Sequence, residues 1–194
     1  TGDSEGALNA QALEATKTLE DFRKIGIHLT KSEFEARKYW TIRHQAFNLI
    51  RYHLKKKKSE PFIDDVIVTP DKLSVFYPAL YKILDEHKDK MTFAVGGHSG
   101  DGNMHIYTLL DPKESTNMEI ILSVSDKVYN LVAELGGSIT AEHNDGIIRT
   151  PYLEKMFSPT ILSYFSQTKE IFDPKHIFNP RKKVGGTKED IKRY

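Results

Sequence analysis

The stretch that most restricts the fold runs from Phe93 to Tyr107, Phe-Ala-Val-Gly-Gly-His-Ser-Gly-Asp-Gly-Asn-Met-His-Ile-Tyr. Two short apolar runs flank the turn formers Ser99-Gly100-Asp101-Gly102-Asn103, so the chain must reverse here and its arms must pair as a β-hairpin. A histidine stands on each shoulder, His98 and His105. A turn at Asp101-Gly102 carries the two imidazoles to facing strand ends, close enough to share one metal ion on a rigid support. Histidine pairs at this spacing also arise as ordinary loop residues, so a second stretch has to decide.

That stretch is Gly136-Gly-Ser-Ile-Thr-Ala-Glu-His-Asn-Asp-Gly146, which delivers Glu142 and His143 side by side. On a strand, neighbours point to opposite faces, so one of the pair can serve a metal and the other a different task. Two imidazole nitrogens and one carboxylate oxygen suit zinc, manganese or iron, and three protein ligands leave a coordination position for substrate. The plainer reading is two surface polar residues before a loop.

Composition closes several routes. There are no cysteines among the 194 residues, which excludes disulfides, thiolate zinc sites, iron–sulfur clusters and cysteine nucleophiles within the chain. Lys and Arg number 28 against 27 Asp and Glu, and a net charge of +1 gives no general attraction for nucleic acid. The basic run Arg51-Tyr-His-Leu-Lys-Lys-Lys-Lys58 reads as a solvated helix end. No apolar run approaches the roughly 20 residues of a membrane helix, and no signal peptide is evident. A soluble, cytoplasmic protein is expected, with membrane association at most peripheral, at the inner membrane face. The chain opens on Thr1 without an initiating segment, which points to a piece of something longer.

Helical periodicity predicts a surface-packed helix from Ala7 to about Ile25 and a second from about Lys31 to Lys56, the latter with a capped start. Ala36, Trp40, Arg43, Phe47 and Ile50 form one stripe of the second helix, which places Arg43 on an apolar face. A guanidinium there must find a protein carboxylate, snorkel to the edge, or grip a substrate carboxylate. Phe62 to Val68 reads as a strand and Leu73, Phe76, Tyr77, Leu80 and Leu84 as a helix capped by Asp71. After the hairpin, Thr92 to Leu110, comes a helix with the stripe Ile121, Val124, Val128, Leu131 and Leu135, stopped by Gly136-Gly137. Pro151 to Phe157 and Ser158 to Phe172 predict two more helices, followed by a turn-rich docking segment to Pro180. Past Lys183 a loose charged tail, residues 184–194, is expected. The whole predicts an α+β domain over residues 1–183, an antiparallel sheet with helices packed on one face.

Three segments in this order, His98-Ser-Gly-Asp-Gly-Asn-Met-His105, Gly136-Gly-Ser-Ile-Thr-Ala-Glu-His143 and Phe172-Asp-Pro-Lys-His-Ile-Phe-Asn-Pro180, resemble the C-terminal half of the FAD-linked oxidases. These flavoproteins include D-lactate dehydrogenase, the glycolate oxidase flavin subunit and D-2-hydroxyglutarate dehydrogenase. The resemblance covers nearly all of the chain and also embraces Trp40-Thr-Ile-Arg43 and Asp65-Val-Ile-Val. It implies a ferredoxin-like substrate or cap domain, a divalent metal (zinc or manganese) on His98, His105 and Glu142, and His143 as the base for the substrate hydroxyl. It further implies that Arg43 grips the carboxylate of a small 2-hydroxy acid. Asn103 would contact the substrate or the flavin, and Asn179 would approach the FAD held mainly by an N-terminal flavin domain, from which an electron-acceptor partner draws electrons. Asn144 and Arg181 stand where the family often has glycine. The rival readings are a non-catalytic metal-binding interaction domain and a metal-dependent hydrolase.

Overall fold

A computed structural model describes residues 3–20, 26–53 and 57–193. The chain divides into two compact units, Thr1–His53 and Leu54–Tyr194. The first holds α1 (Glu5–Glu20) and α2 (Glu33–His53). The expected ends of both helices, 21–25 and 54–56, lie outside the described residues. The capped start of α2 is present. Ser32 Oγ accepts from the Glu35 N–H at 3.2 Å, and the Glu35 carboxylate accepts from the Lys31 N–H at 2.8 Å.

One expectation fails on α2. Arg43 is exposed, and Trp40 keeps 57% of its surface, so the predicted stripe is not buried there. A 3.6-residue period assigns side chains to a face, but burial also needs a surface opposite, and within this unit none covers these two residues. The side chains of Phe47 and Ile50 lie outside the described residues.

The second unit is built on an antiparallel sheet of β1 (Lys58–Ser59), β2 (Val66–Ile67), β3 (Thr92–His98) and β4 (Asn103–Leu110). β4 is the spine. It pairs with β3 along one edge, and with β2 at its start and β1 at its end along the other. The period of two sorts its side chains. Met104, Ile106 and Leu110 point into the core, where α3 (Leu73–Asp85) contributes Phe76, Leu80 and Leu84 and α4 (Asn117–Glu134) contributes Val124, Val128 and Val132, all at most 1% exposed. Each such burial contributes about 1.5–3 kcal/mol. The alternate residues Asn103, His105 and Tyr107 face the other way. The α+β reading with helices on one sheet face therefore holds, and the histidine-bearing face is the opposite one.

The expected strand over Phe62–Val68 shrinks to two residues. Phe62 and Ile63 are buried without strand pairing, and Asp65 takes a left-handed conformation at φ 65°, which ends any extended run before Val66. Asp71 lies in a 3₁₀ turn, Pro70–Lys72, ahead of α3 and does not cap it. The short helix expected over Pro151–Phe157 becomes α5 (Gly146–Arg149) running into a 3₁₀ turn, Thr150–Lys155, and α6 (Pro159–Phe172) follows with Ser158 as its cap. Lys58 pairs with Leu110 as part of β1, so the basic run does not end as a helix. The segment past Lys183 is not loose. It forms α7 (Lys188–Ile191) with a Thr187–Asp190 capping box, and Ile191, 4% exposed, joins the core. In the docking segment, Phe172 and Phe178 stand 80% and 66% exposed.

Candidate metal centre

The hairpin register places His98 opposite Asn103 and Gly96 opposite His105. His98 and His105 are thus diagonal neighbours on one face, and the glycine opposite His105 leaves its ring room. The loop between them is Ser99–Gly102, closed by Asp101 N–H to His98 C=O at 2.9 Å and Gly102 N–H to Ser99 C=O at 3.2 Å. Gly102 is required. Its φ is +77°, and a Cβ there would lie 1.8 Å from the Val68 carbonyl oxygen.

Glu142 and His143 do not lie on a strand. Ser138 forms an isolated bridge with Ile67, and bends at 139 and 141–143 then carry the chain around the buried Asp65 carboxylate, which accepts from the N–H groups of Ala141 (3.0 Å), Glu142 (3.1 Å) and His143 (2.7 Å). Three successive amides aimed at one carboxylate curl the backbone, so the two side chains share a side instead of alternating. The amide of Asn103 adds a fourth donor at 3.0 Å. Burial pushes the Asp65 carboxyl up, but the donors of His143, Ala141, Glu142 and Asn103 outweigh it and hold the group below its ordinary value. Its oxygens lie within 4.8 Å of candidate ligand atoms of His105, Glu142 and His143. The Thr140 hydroxyl is a fifth donor, at 3.3 Å, and with five donors already on it Asp65 reads as the anchor of the loop and not as a ligand.

Three imidazoles converge on one carboxylate oxygen. From Glu142 Oε1 it is 3.1 Å to His105 Nε2, 3.7 Å to His98 Nε2 and 3.7 Å to His143 Nε2. Two ligands bonded at about 2.1 Å to one tetrahedral ion lie roughly 3.4 Å apart, and Glu142 Oε1 lies at about that spacing from each imidazole nitrogen. The rings of His105 and His143 stack at 5.1 Å and 17°, while His98 meets His105 edge-on at 5.6 Å. Behind them, Asp64 Oδ1 lies 3.2 Å from His105 Nδ1, and Asp64 Oδ2 lies 3.5 Å from His143 Nδ1. The donor set fits a divalent cation.

A cavity of about 360 Å³ opens beside the cluster, walled by Pro61, Asp64, residues 143–149 and Lys182. Arg149, 7% exposed, donates from Nη1 to the Asn144 carbonyl at 2.8 Å and from Nη2 to the Asp64 carbonyl. Lys183 pairs with the buried Asp145 carboxylate.

The family model of the FAD linked oxidases, C-terminal domain, matches residues 1–183. The chain belongs to this family. Relatives of this FAD-linked oxidase domain include D-2-hydroxyglutarate dehydrogenase of Stutzerimonas stutzeri, 31% identical over 79% of this chain and 32% of the relative. D-lactate dehydrogenase of Anaerostipes hadrus is 36% identical over 61% of this chain and 25% of the relative. Glycolate oxidase subunit GlcD of Bacillus subtilis is 27% identical over 81% of this chain and 32% of the relative. The domain spans about a third of these relatives' length or less.

Of the site residues expected for a FAD-linked oxidase domain, His98, His105, Glu142 and His143 come together. Asn103 lies directly behind them, 5% exposed, with its amide committed to Asp65 and the Val66 carbonyl. Asn179 is exposed after α6, its Oδ1 3.3 Å from Lys182 Nζ at the cavity wall. Arg43 belongs to the first unit, on α2. Sequence reasoning missed Asp64 as a neighbour of two histidines and Asp65 as the loop's anchor. The one available signal was a pair of acids inside an otherwise apolar run.

Proposed function

We propose that this chain is the substrate domain of a FAD-dependent dehydrogenase or oxidase of 2-hydroxy acids, with a divalent metal, zinc or manganese, held by His98, His105 and Glu142. The observation that carries this reading is the convergence of three Nε2 atoms on Glu142 Oε1. A metal bound there would make the substrate hydroxyl more acidic, and FAD, carried by an N-terminal flavin domain, would accept the hydride.

For His98 and His143 alike, Nε2 lies 3.7 Å from Glu142 Oε1, and the group whose ligand atoms all lie within 4.8 Å of one another, Asp65, His105, Glu142 and His143, includes His143 and not His98. The choice of His98 as the ligand is made on its support. His98 and His105 share the rigid hairpin, whereas His143 lines the cavity that an organic substrate could enter. His143 Nε2 is accordingly assigned to accept the hydroxyl proton. Arg43, exposed on its helix, is assigned to the substrate carboxylate, which a guanidinium can grip with two parallel hydrogen bonds. Of the two asparagines assigned to the flavin, the exposed Asn179 suits that task better than the buried Asn103.

The test is elemental analysis of the purified chain beside His98→Ala and Glu142→Ala. Near-stoichiometric zinc or manganese that falls in both variants is the expected result. Metal retained unchanged in both would remove the assigned ligands and the reading with them.

A further inference from the structure

We propose that Asp64 is a positioning residue whose single carboxylate sets the tautomers of two imidazoles at once, His105 as a metal ligand and His143 as the base. The inference rests on the reading of the cluster given above, and it starts from where the two Asp64 oxygens go. Oδ1 lies 3.2 Å from His105 Nδ1 and Oδ2 lies 3.5 Å from His143 Nδ1, and the carboxylate is 13% exposed. An ionised carboxylate only accepts hydrogen bonds, so the His105 Nδ1 bonded to it carries the proton, and we extend the same assignment to His143 Nδ1, which faces Oδ2 at ion-pair distance. Each neutral ring then holds its lone pair on Nε2, the atom that faces Glu142 Oε1 at 3.1 Å for His105 and 3.7 Å for His143. A ligand needs that lone pair for metal, and a base needs it for a proton.

The surroundings hold Asp64 to this task. The Arg149 guanidinium donates to the backbone carbonyl of Asp64 with one nitrogen and to that of Asn144 with another, tying the segment that carries Asp64 to the loop that carries His143. Asp65 gathers the amides of residues 141–143 from the other side. The two adjacent acids thus divide the work: Asp65 fixes the backbone of the loop and Asp64 fixes the rings.

Asp64→Asn separates this role from mere packing, because it keeps the shape and replaces one acceptor oxygen with an NH₂ donor. Asparagine can accept from only one of the two rings, and the ring facing its NH₂ must move its proton to Nε2. Side-chain ¹⁵N spectra of metal-free chain at about pH 8.5, where free imidazole is neutral, report the tautomers directly. The wild type is expected to show Nδ1–H on both His105 and His143. Asp64→Asn should convert at least one of them and weaken zinc binding about 10–100-fold, with Asp64→Glu restoring both readouts in part. Nε2–H on either ring of the wild type, a reading that needs no variant to fold, would overturn the proposal. So would an Asp64→Asn protein with both tautomers and zinc affinity unchanged. If the tautomers follow Asp64 but the wild type takes up no zinc or manganese, the metal reading fails while the positioning role stands.

Discussion

At the scale of single residues, Asp65 shows how the site is held. It sits in the left-handed region at φ 65°, a conformation that costs a non-glycine residue about 1–2 kcal/mol, and it is fully buried. Five donors offset that cost. Asp65→Ala leaves those donors without their acceptor and should destabilise the chain by about 3 kcal/mol, read as a lower urea midpoint. Because folding holds this carboxyl below its ordinary value, its contribution is complete above that value and is lost as pH falls through the folded one. His143→Ala should behave differently: metal content is kept, while turnover by the full-length enzyme falls about 10²–10⁴-fold with little change in KM. Loss of metal from His143→Ala would make His143 a ligand instead. The histidines and Glu142 were legible because chemically active residue types stood beside turn formers. Asp64 and Asp65 were not, because two acids inside an apolar run read as part of the strand Phe62-Ile-Asp-Asp-Val-Ile-Val68, and a backbone amide cluster leaves no mark in side-chain identity.

At the scale of elements, the hairpin was legible because two short apolar runs flank a loop rich in glycine, whereas the bends that follow Ser138 were not. Their shape depends on a carboxylate more than 70 residues away in sequence, and a local pattern cannot report that. Gly102→Ala tests the hairpin, since a methyl at φ +77° meets the Val68 carbonyl. A loss of about 2–4 kcal/mol is expected, along with weaker metal binding as His98 and His105 shift. The junction after α6 offers a pH test. The Lys169 ammonium, with the Ile177 and Phe178 amides, holds the Asp173 carboxyl down at about 2, against an ordinary 3.8. A depressed carboxyl stabilises fully above its unfolded value, so this turn keeps its support above about pH 4 and loses it as pH falls toward 2. Amide exchange at Ile177 and Phe178 should quicken across that window, and in Asp173→Asn it should already be fast at neutral pH.

At the scale of the whole molecule, the family match stops at residue 183, yet the packing of the second unit does not. Ile191 is 4% exposed within the core, Lys188 pairs with Asp126 of α4 at 2.7 Å, and Arg181 pairs with Asp190 at 2.7 Å. A charge-rich, glycine-containing sequence hid this, because one buried isoleucine carries the anchoring and its neighbours are polar. Removing residues 184–194 should cost about 2–4 kcal/mol, as for an emptied core site, and lower the thermal midpoint. The last prediction concerns what the molecule lacks for its proposed chemistry. The domain offers candidate donors for a metal and a cavity, whereas the glycine pair that precedes a helix among the described residues, Gly185-Gly186, opens only the four-residue α7, too short to cradle a pyrophosphate. The purified 194-residue chain should therefore bind zinc or manganese but emerge colourless and fail to oxidise any 2-hydroxy acid, while the full-length protein carries a flavin absorbance band. A yellow chain that holds FAD through gel filtration would mean that the flavin site is built here, and the division of labour between metal-holding and flavin-holding domains would have to be abandoned.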